Sequence, residues 1–218
     1  MNFFKFYTRI TQVKLLGRVS RNVKELSEAL ANVPSASIYH HTHRYLEQHR
    51  YFSPEHPNDF SYWINNSLGL KKLGELVASL DIFQFRDIED LRRELIKILK
   101  DYLVKTPSLR NCIPGEEFNF LSSRIFIIPT NFTAKNLEEF KDCIGKASIH
   151  SIYFHMFEAR VRLKKGDNDF SYWLRTTGYP GLADRLSRFD PYTYTLEGIR
   201  RKIIEAVTQQ MQSDAAHK

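Results

Sequence analysis

Two histidines each stand a short way ahead of an Asn-Asp pair in this chain. "SIYHH" at Ser37 leads to "NDFSYW" at Asn58, and "SIYFH" at Ser151 leads to a second "NDFSYW" at Asn168. A histidine held by a carboxylate gains basicity, so His41 bonded to Asp59, and His155 bonded to Asp169, could act as a general base or as a donor to an anionic ligand. Arg92 with Arg93, and Arg200 with Arg201, form a second matched set. A guanidinium fork is well shaped for phosphate or carboxylate. These residues also have plain structural uses. A lone helical histidine beside Ile38 and Tyr45 reads as a satisfied core residue, and helical arginines commonly close ion pairs, here with Asp81 or Asp190.

No nucleophile completes a catalytic set, because Ser61 and Ser171 lack the G-x-S-x-G turn that would expose them. His40 and His43 share a helix face, but no E-x-x-H or H-E-x-x-H accompanies them, so neither a metal nor a cofactor is expected. Glycine loops that cradle phosphate, dinucleotide fingerprints and zinc ribbons are all missing from a chain with nine glycines. In the repeated hexamer, Asn58 or Asp59 can cap a helix whose Phe60 and Trp63 face a core, and Asn168, Asp169, Phe170 and Trp173 repeat the arrangement. Capping and packing leave Ser61, Tyr62 and one polar residue unexplained. A buried hydrogen-bond network or a ligand site would account for them.

The elements that must position these residues read as helices. "NVKELSEALANV" places Val23, Leu26 and Leu30 on one face behind an Asn22 cap. "SIYHHTHRYLEQH", "LKKLGELVASLD" and "DIEDLRRELIKILKDYL" complete a first series, and the same order recurs from Asn136, where "NLEEF" answers "NVKEL". "TQVKLL" near Thr11 and "IFIIP" near Ile125 fall outside the helical period and could form a small ribbon. The expected fold is therefore mainly α. Two tandem homologous helical modules, 1–106 and 125–211, pack about a pseudo-twofold axis, with a connecting segment over 107–124 and a polar tail over 212–218. One module alone would have a marginal core.

Apolar residues at 42% and charged residues at 26% are those of a folded globular protein. No apolar run approaches the roughly 20 residues of a membrane span. The net charge of +7 is spread over the whole chain, with acids interleaved among the basic residues. That pattern suits solvated helix faces and leaves nucleic-acid binding as a charge-based alternative. Cys112 and Cys143 stand alone, and "MNFFKFYTRITQVK" lacks the clean apolar core of a secretory signal, so the cytoplasm is the expected compartment.

The quoted residues, together with "DPYTYTLEGIRRKI" from Asp190, resemble an uncharacterised family of bacterial and archaeal proteins of unknown function. The resemblance covers nearly the whole chain. It departs in the first half, at "DIFQFRDIEDL" and at the extra residues around "SPEHP". Members of such families lie near or are fused to sugar-transferring enzymes, which implies an accessory role in carbohydrate metabolism. The expected function is a non-enzymatic binding, regulatory or accessory protein. Its candidate ligand-binding residues are His155, Asn168, Asp169, Arg200 and Arg201, with His41, Asn58, Asp59, Arg92 and Arg93 as a counterpart. The partner is a small molecule or a protein. The competing class is an enzyme on a sugar or phosphorylated metabolite with His/Asp acid–base chemistry.

Overall fold

The computed structural model describes residues 3–48, 57–106, 109–159, 167–190 and 193–216. Of the features read from sequence, His49, residues 53–56 and residues 191–192 lie outside them, as does the side chain of Tyr45. The chain opens with a long strand, β1 (Phe4–Ser20), followed by α1 (Val23–Asn32), α2 (Ser35–Gln48), α3 (Asp59–Asn66), α4 (Lys71–Ala78) and α5 (Ile88–Lys105). A second long strand, β2 (Phe118–Ala134), precedes α6 (Leu137–Lys146) and α7 (Ile149–Tyr153), which runs into a π-helical turn at Phe154–Glu158. The chain continues through α8 (Asp169–Thr176), α9 (Pro180–Ser187) and α10 (Leu196–Ala216).

The two strands pair with each other in an antiparallel, two-stranded sheet. This overturns the mainly α, all-helical expectation with tandem modules and at most a small ribbon. Each strand is 17 residues long, and the fold is mixed α/β. The physical reason lies in the alternation at each strand's start. Phe4 and Phe6 are buried on either side of exposed Lys5, and Phe118 and Phe120 are buried on either side of exposed Asn119. A period of two is a strand's period, and it begins several residues ahead of Thr11 and Ile125.

The chain forms two compact units, and neither is contiguous. The first comprises described residues of Thr11–Gln48 and Ser53–Arg124; the second, those of Met1–Ile10 and Ile125–Lys218. Helices α1 to α5 therefore share a unit with the start of β2, and helices α6 to α10 with the start of β1. In the first unit, Phe118 and Phe120 lie under α2 and α3, with ring centres 4.7 Å from His41 and 5.1 Å from Phe60 for Phe118. In the second, the Phe4 ring centre lies 4.9 Å from His155 and 5.2 Å from Phe170. Trp63 and Trp173 are both buried, with ring centres 5.7 Å from Phe118 and 5.8 Å from Phe4. Truncating one such ring to alanine costs about 3–5 kcal/mol.

Local signals set the helix starts. Asn22 accepts from Glu25 N–H at 2.9 Å while Glu25 reaches back to Arg21 N–H at 2.8 Å, and Asn136 with Glu139 repeats this reciprocal cap. In the hexamers the cap is Asn58 or Asn168, accepting from Ser61 N–H at 2.8 Å and Ser171 N–H at 2.9 Å. Asp59 and Asp169 then occupy the first helical position, where the helix dipole favours a carboxylate. Gly74 in α4 is required by space, since a Cβ there would lie 2.9 Å from Asn65 Cβ in α3. No helix among the described residues is long and apolar enough to cross a membrane.

Candidate functional site

Ser37 and His41 project from one face of α2 at a spacing of one helical turn, and each meets the same residue of β2. Ser37 Oγ donates to the Leu121 carbonyl at 2.6 Å, and Leu121 N–H donates to His41 Nε2 at 2.9 Å. The other ring nitrogen, Nδ1, lies 2.8 Å from Asp59 Oδ2. In the second unit, Ser151 Oγ donates to the Tyr7 carbonyl at 2.7 Å and Tyr7 N–H donates to His155 Nε2 at 2.9 Å. His155 Nδ1 in turn lies 2.8 Å from Asp169 Oδ2. The serine and histidine thus give a strand residue the acceptor and donor that a neighbouring strand would supply.

This geometry fixes the protonation of both rings. A backbone N–H can only donate, so Nε2 must carry a lone pair, and Nδ1 must carry the proton that goes to the aspartate. Both histidines are only 3% exposed as side chains, and both nitrogens are committed. As held here, neither ring has a nitrogen available for acid–base work. Ser61 and Ser171 are fully buried, and the Ser61 hydroxyl donates to the Asn58 carbonyl at 2.8 Å, so neither offers a nucleophile.

His40, His41 and Asp59 bring three ligand-type atoms within 4.8 Å of one another. They do not suit a cation. A metal on His41 Nδ1 would need a lone pair there while Nε2 keeps its own for Leu121, a demand only an imidazolate meets. His40 Nδ1 is 2.7 Å from Ser123 Oγ, and the Arg44 guanidinium lies 3.4 Å from its Nε2. Burial first, then His41 and Arg44, push the His40 pKa down to about 4.

The paired arginines separate into two roles. Arg92 donates to the carbonyls of Leu30 and Val33, and Arg200 donates to those of Ile144 at 2.8 Å and Ala147 at 2.6 Å. Each guanidinium closes the C-terminal end of a helix, α1 or α6, where carbonyls lack partners within the helix. Their carboxylate partners are Glu89 and Glu197, both on the arginine's own helix, in place of the expected Asp81 and Asp190. Arg93 faces solvent and pairs with Asp90, and Arg201 is exposed. Asn58 and Asn168, besides capping, donate to the carbonyls of Val77 at 3.3 Å and Leu186 at 3.5 Å.

Two candidate site residues, His155 and Asp169, also line a cleft of about 410 Å³ in the second unit. Its other walls are Phe3, Phe4, Lys5, Tyr7, Phe154, Tyr172, Trp173 and Thr176. Phe3 is 56% and Tyr172 58% exposed. The Lys5 ammonium lies 5.7 Å from the centre of the Tyr7 ring. Arg200 and Arg201 are not among the lining residues.

The sequence profile of a family of unknown function, DUF5752, matches residues 1–208. The chain belongs to that family. One solved structure similar to this DUF5752 protein is that of OrfY from Thermoproteus tenax, 27% identical, covering 95% of each chain with a TM-score of 0.77. No protein with a curated description matches.

Sequence reasoning on this DUF5752 chain brought out His155 and Asp169 but missed Phe3, Lys5, Tyr7, Phe154 and Thr176 as neighbours of Asp169. A partial signal was present in Tyr172, which neither capping nor core packing explained. Tyr62, at the same place in α3, is likewise 51% exposed.

Proposed function

We propose that the chain is a non-enzymatic binding protein, regulatory or accessory in role, that seats a small ligand in the aromatic cleft beside His155 and Asp169. The accessory link to carbohydrate metabolism implied by the family resemblance belongs to the same reading. One observation carries it: Phe3 and Tyr172 keep more than half of their surface exposed at the mouth of a cavity with a carboxylate and an ammonium in its wall. Concave, mostly apolar sites with a few placed polar groups are where small molecules bind. The committed histidine nitrogens support binding over acid–base catalysis, since a general base needs a lone pair facing the substrate.

The test is a panel of small metabolites titrated into the full chain, followed by NMR shifts of Tyr172, Thr176 and Trp173 and by mass analysis of each metabolite. Shifts centred on these residues, with every metabolite recovered unchanged, are expected. Conversion of any metabolite that persists in purified protein and disappears in His155→Gln would overturn the non-enzymatic reading.

A further inference from the structure

We infer that the outer edge of β1 in the first unit, over residues 11–15, is a docking site for an extended, acidic polypeptide segment that adds to the sheet as a further strand. The inference does not depend on the cleft beside Asp169.

The edge is open. Among the described residues β1 pairs with β2 alone, so each strand keeps one edge of N–H and C=O groups with no strand beside it. Near its start the β1 edge is covered, because Tyr7 turns its main chain to Ser151 and His155. Counted on by twos, Thr11, Val13 and Leu15 turn theirs the same way. Among the described residues nothing outside the sheet bonds the main chain of these three. Residues 12–15 are exposed in succession, Val13 at 39% and Leu15 at 60%, so neither face of the strand is covered there. Gly17, at φ 68°, takes a left-handed conformation that interrupts a regular strand, and it bounds the open stretch.

An open edge selects the kind of partner. A row of N–H and C=O groups at strand spacing is matched by another extended main chain, and neither a nucleic acid nor a lipid surface carries such a row. Charge then selects among polypeptides. β1 contains Lys5, Arg9, Lys14 and Arg18 and no acidic residue. Lys14 and Arg18 are exposed, in and beside the open stretch, and neither has a carboxylate partner among the described residues. A second copy of β1 would bring its own lysine and arginine to this edge, and like charges across strands are destabilising. A strand with acidic residues at alternate positions meets them with opposite charge, while the apolar positions between cover Val13 and Leu15.

The matching stretch of β2 is closed to such addition. The burial patterns of the two strands run alike and place Pro129 where β1 has Leu15. Proline has no N–H to offer and is a common guard of edge strands. Residues 125–134 of β2 also carry no charge. The first unit's edge is thus open and basic where the second unit's is blocked and neutral.

The experiment titrates a blocked peptide of alternating valine and glutamate into the isotope-labelled full chain, with an alternating valine–lysine peptide and a DNA duplex alongside. The series is repeated on Lys14→Glu, on Leu15→Pro, and on Lys24→Glu as a charge reversal on the exposed side of α1. The acidic peptide is expected to shift the amides of Thr11, Val13 and Leu15 and to slow their hydrogen exchange. Lys14→Glu and Leu15→Pro each weaken that binding about fivefold or more, while Lys24→Glu leaves it within about twofold. Equal binding of the valine–lysine peptide, edge shifts with DNA alone, edge shifts that grow with protein concentration without peptide, or no shift at residues 11–15 with any probe would each overturn the inference. Amide spectra of the free variants confirm folding, and Lys14→Glu carries the test should Leu15→Pro disturb β1.

Discussion

In the first unit Asp59 leaves 52% of its side chain in solvent and His40 stands beside His41; in the second, Asp169 is 18% exposed and Phe154 stands beside His155. The two neighbours hold the same relation to their histidine, with ring centres 4.9 Å apart at 79° in both units. Every contact that pins a strand residue is present in both units: serine to carbonyl, backbone N–H to Nε2, Nδ1 to aspartate. What changes lies around that frame. Arg9, buried over the Tyr153 ring at 4.6 Å, meets Glu158 at 2.6 Å in the second unit, whereas Ser123 meets His40 at 2.7 Å in the first. The lesson is that the serine, histidine and aspartate found twice hold a strand in place, while the residues packed around them differ between the units.

The comparison breaks most sharply at the buried ion pair. Glu158→Gln leaves the Arg9 charge without its carboxylate in a site where Arg9 is 2% exposed, and about 3–5 kcal/mol of stability is expected to go. Ser123→Ala in the first unit should cost about 1 kcal/mol, the scale of one neutral hydrogen bond. Chemical denaturation of both variants measures the difference, and equal losses would mean that the frame does not separate from its surroundings as argued.

Acid distinguishes the units next. The His40 pKa is held at about 4, below the ordinary 6.5, so between these values the unfolded chain binds a proton that the folded chain refuses. Stability from this group is whole above about pH 6.5 and is lost as pH falls towards 4, up to about 3 kcal/mol. Besides burial, the neighbours setting this window are His41 and Arg44, which lower the pKa, and Asp59, which raises it. His40→Phe gives the first unit the residue that stands beside His155, and it should flatten that part of the stability–pH curve. A curve unchanged by the substitution would remove His40 as the source.

A further pair of variants tests the frame itself. His41→Gln and His155→Gln each orphan one strand N–H and one carboxylate contact, and each should cost about 1–3 kcal/mol. Hydrogen exchange at Leu121 and Tyr7 should rise in the matching variant alone. A marked loss in one unit and none in the other would show that the twin geometry conceals unequal roles.

Local chemistry made the histidine–aspartate contacts readable from the chain, but not the serine and strand contacts that complete the frame. Ser37 and His41 sit one helical turn apart, and an Asn-Asp pair at a helix start has a mechanism that composition alone reveals. The strands were harder, because Phe4–Phe6 and Phe118–Phe120 alternate over too few positions to outweigh the helical pattern around them. Their partners are also remote: Tyr7 meets His155 148 residues away, and Leu121 meets His41 80 residues away. Arg92 and Arg200 were legible as a matched set but not in role, since their partners are main-chain carbonyls, which no side-chain pattern records. The cleft depends on Phe3 and Phe154 converging from positions far apart in the chain, and nothing local to either residue announces that.

The discontinuous make-up of the units bears on how the protein is born. While the ribosome has delivered only α1 to α5, Phe118 and Phe120 are still to come, and the early strand bearing Phe4 and Phe6 waits longer still for α6 to α8. Neither half can finish its interior on its own schedule, so exposed phenylalanines must be tolerated or shielded until synthesis is well advanced.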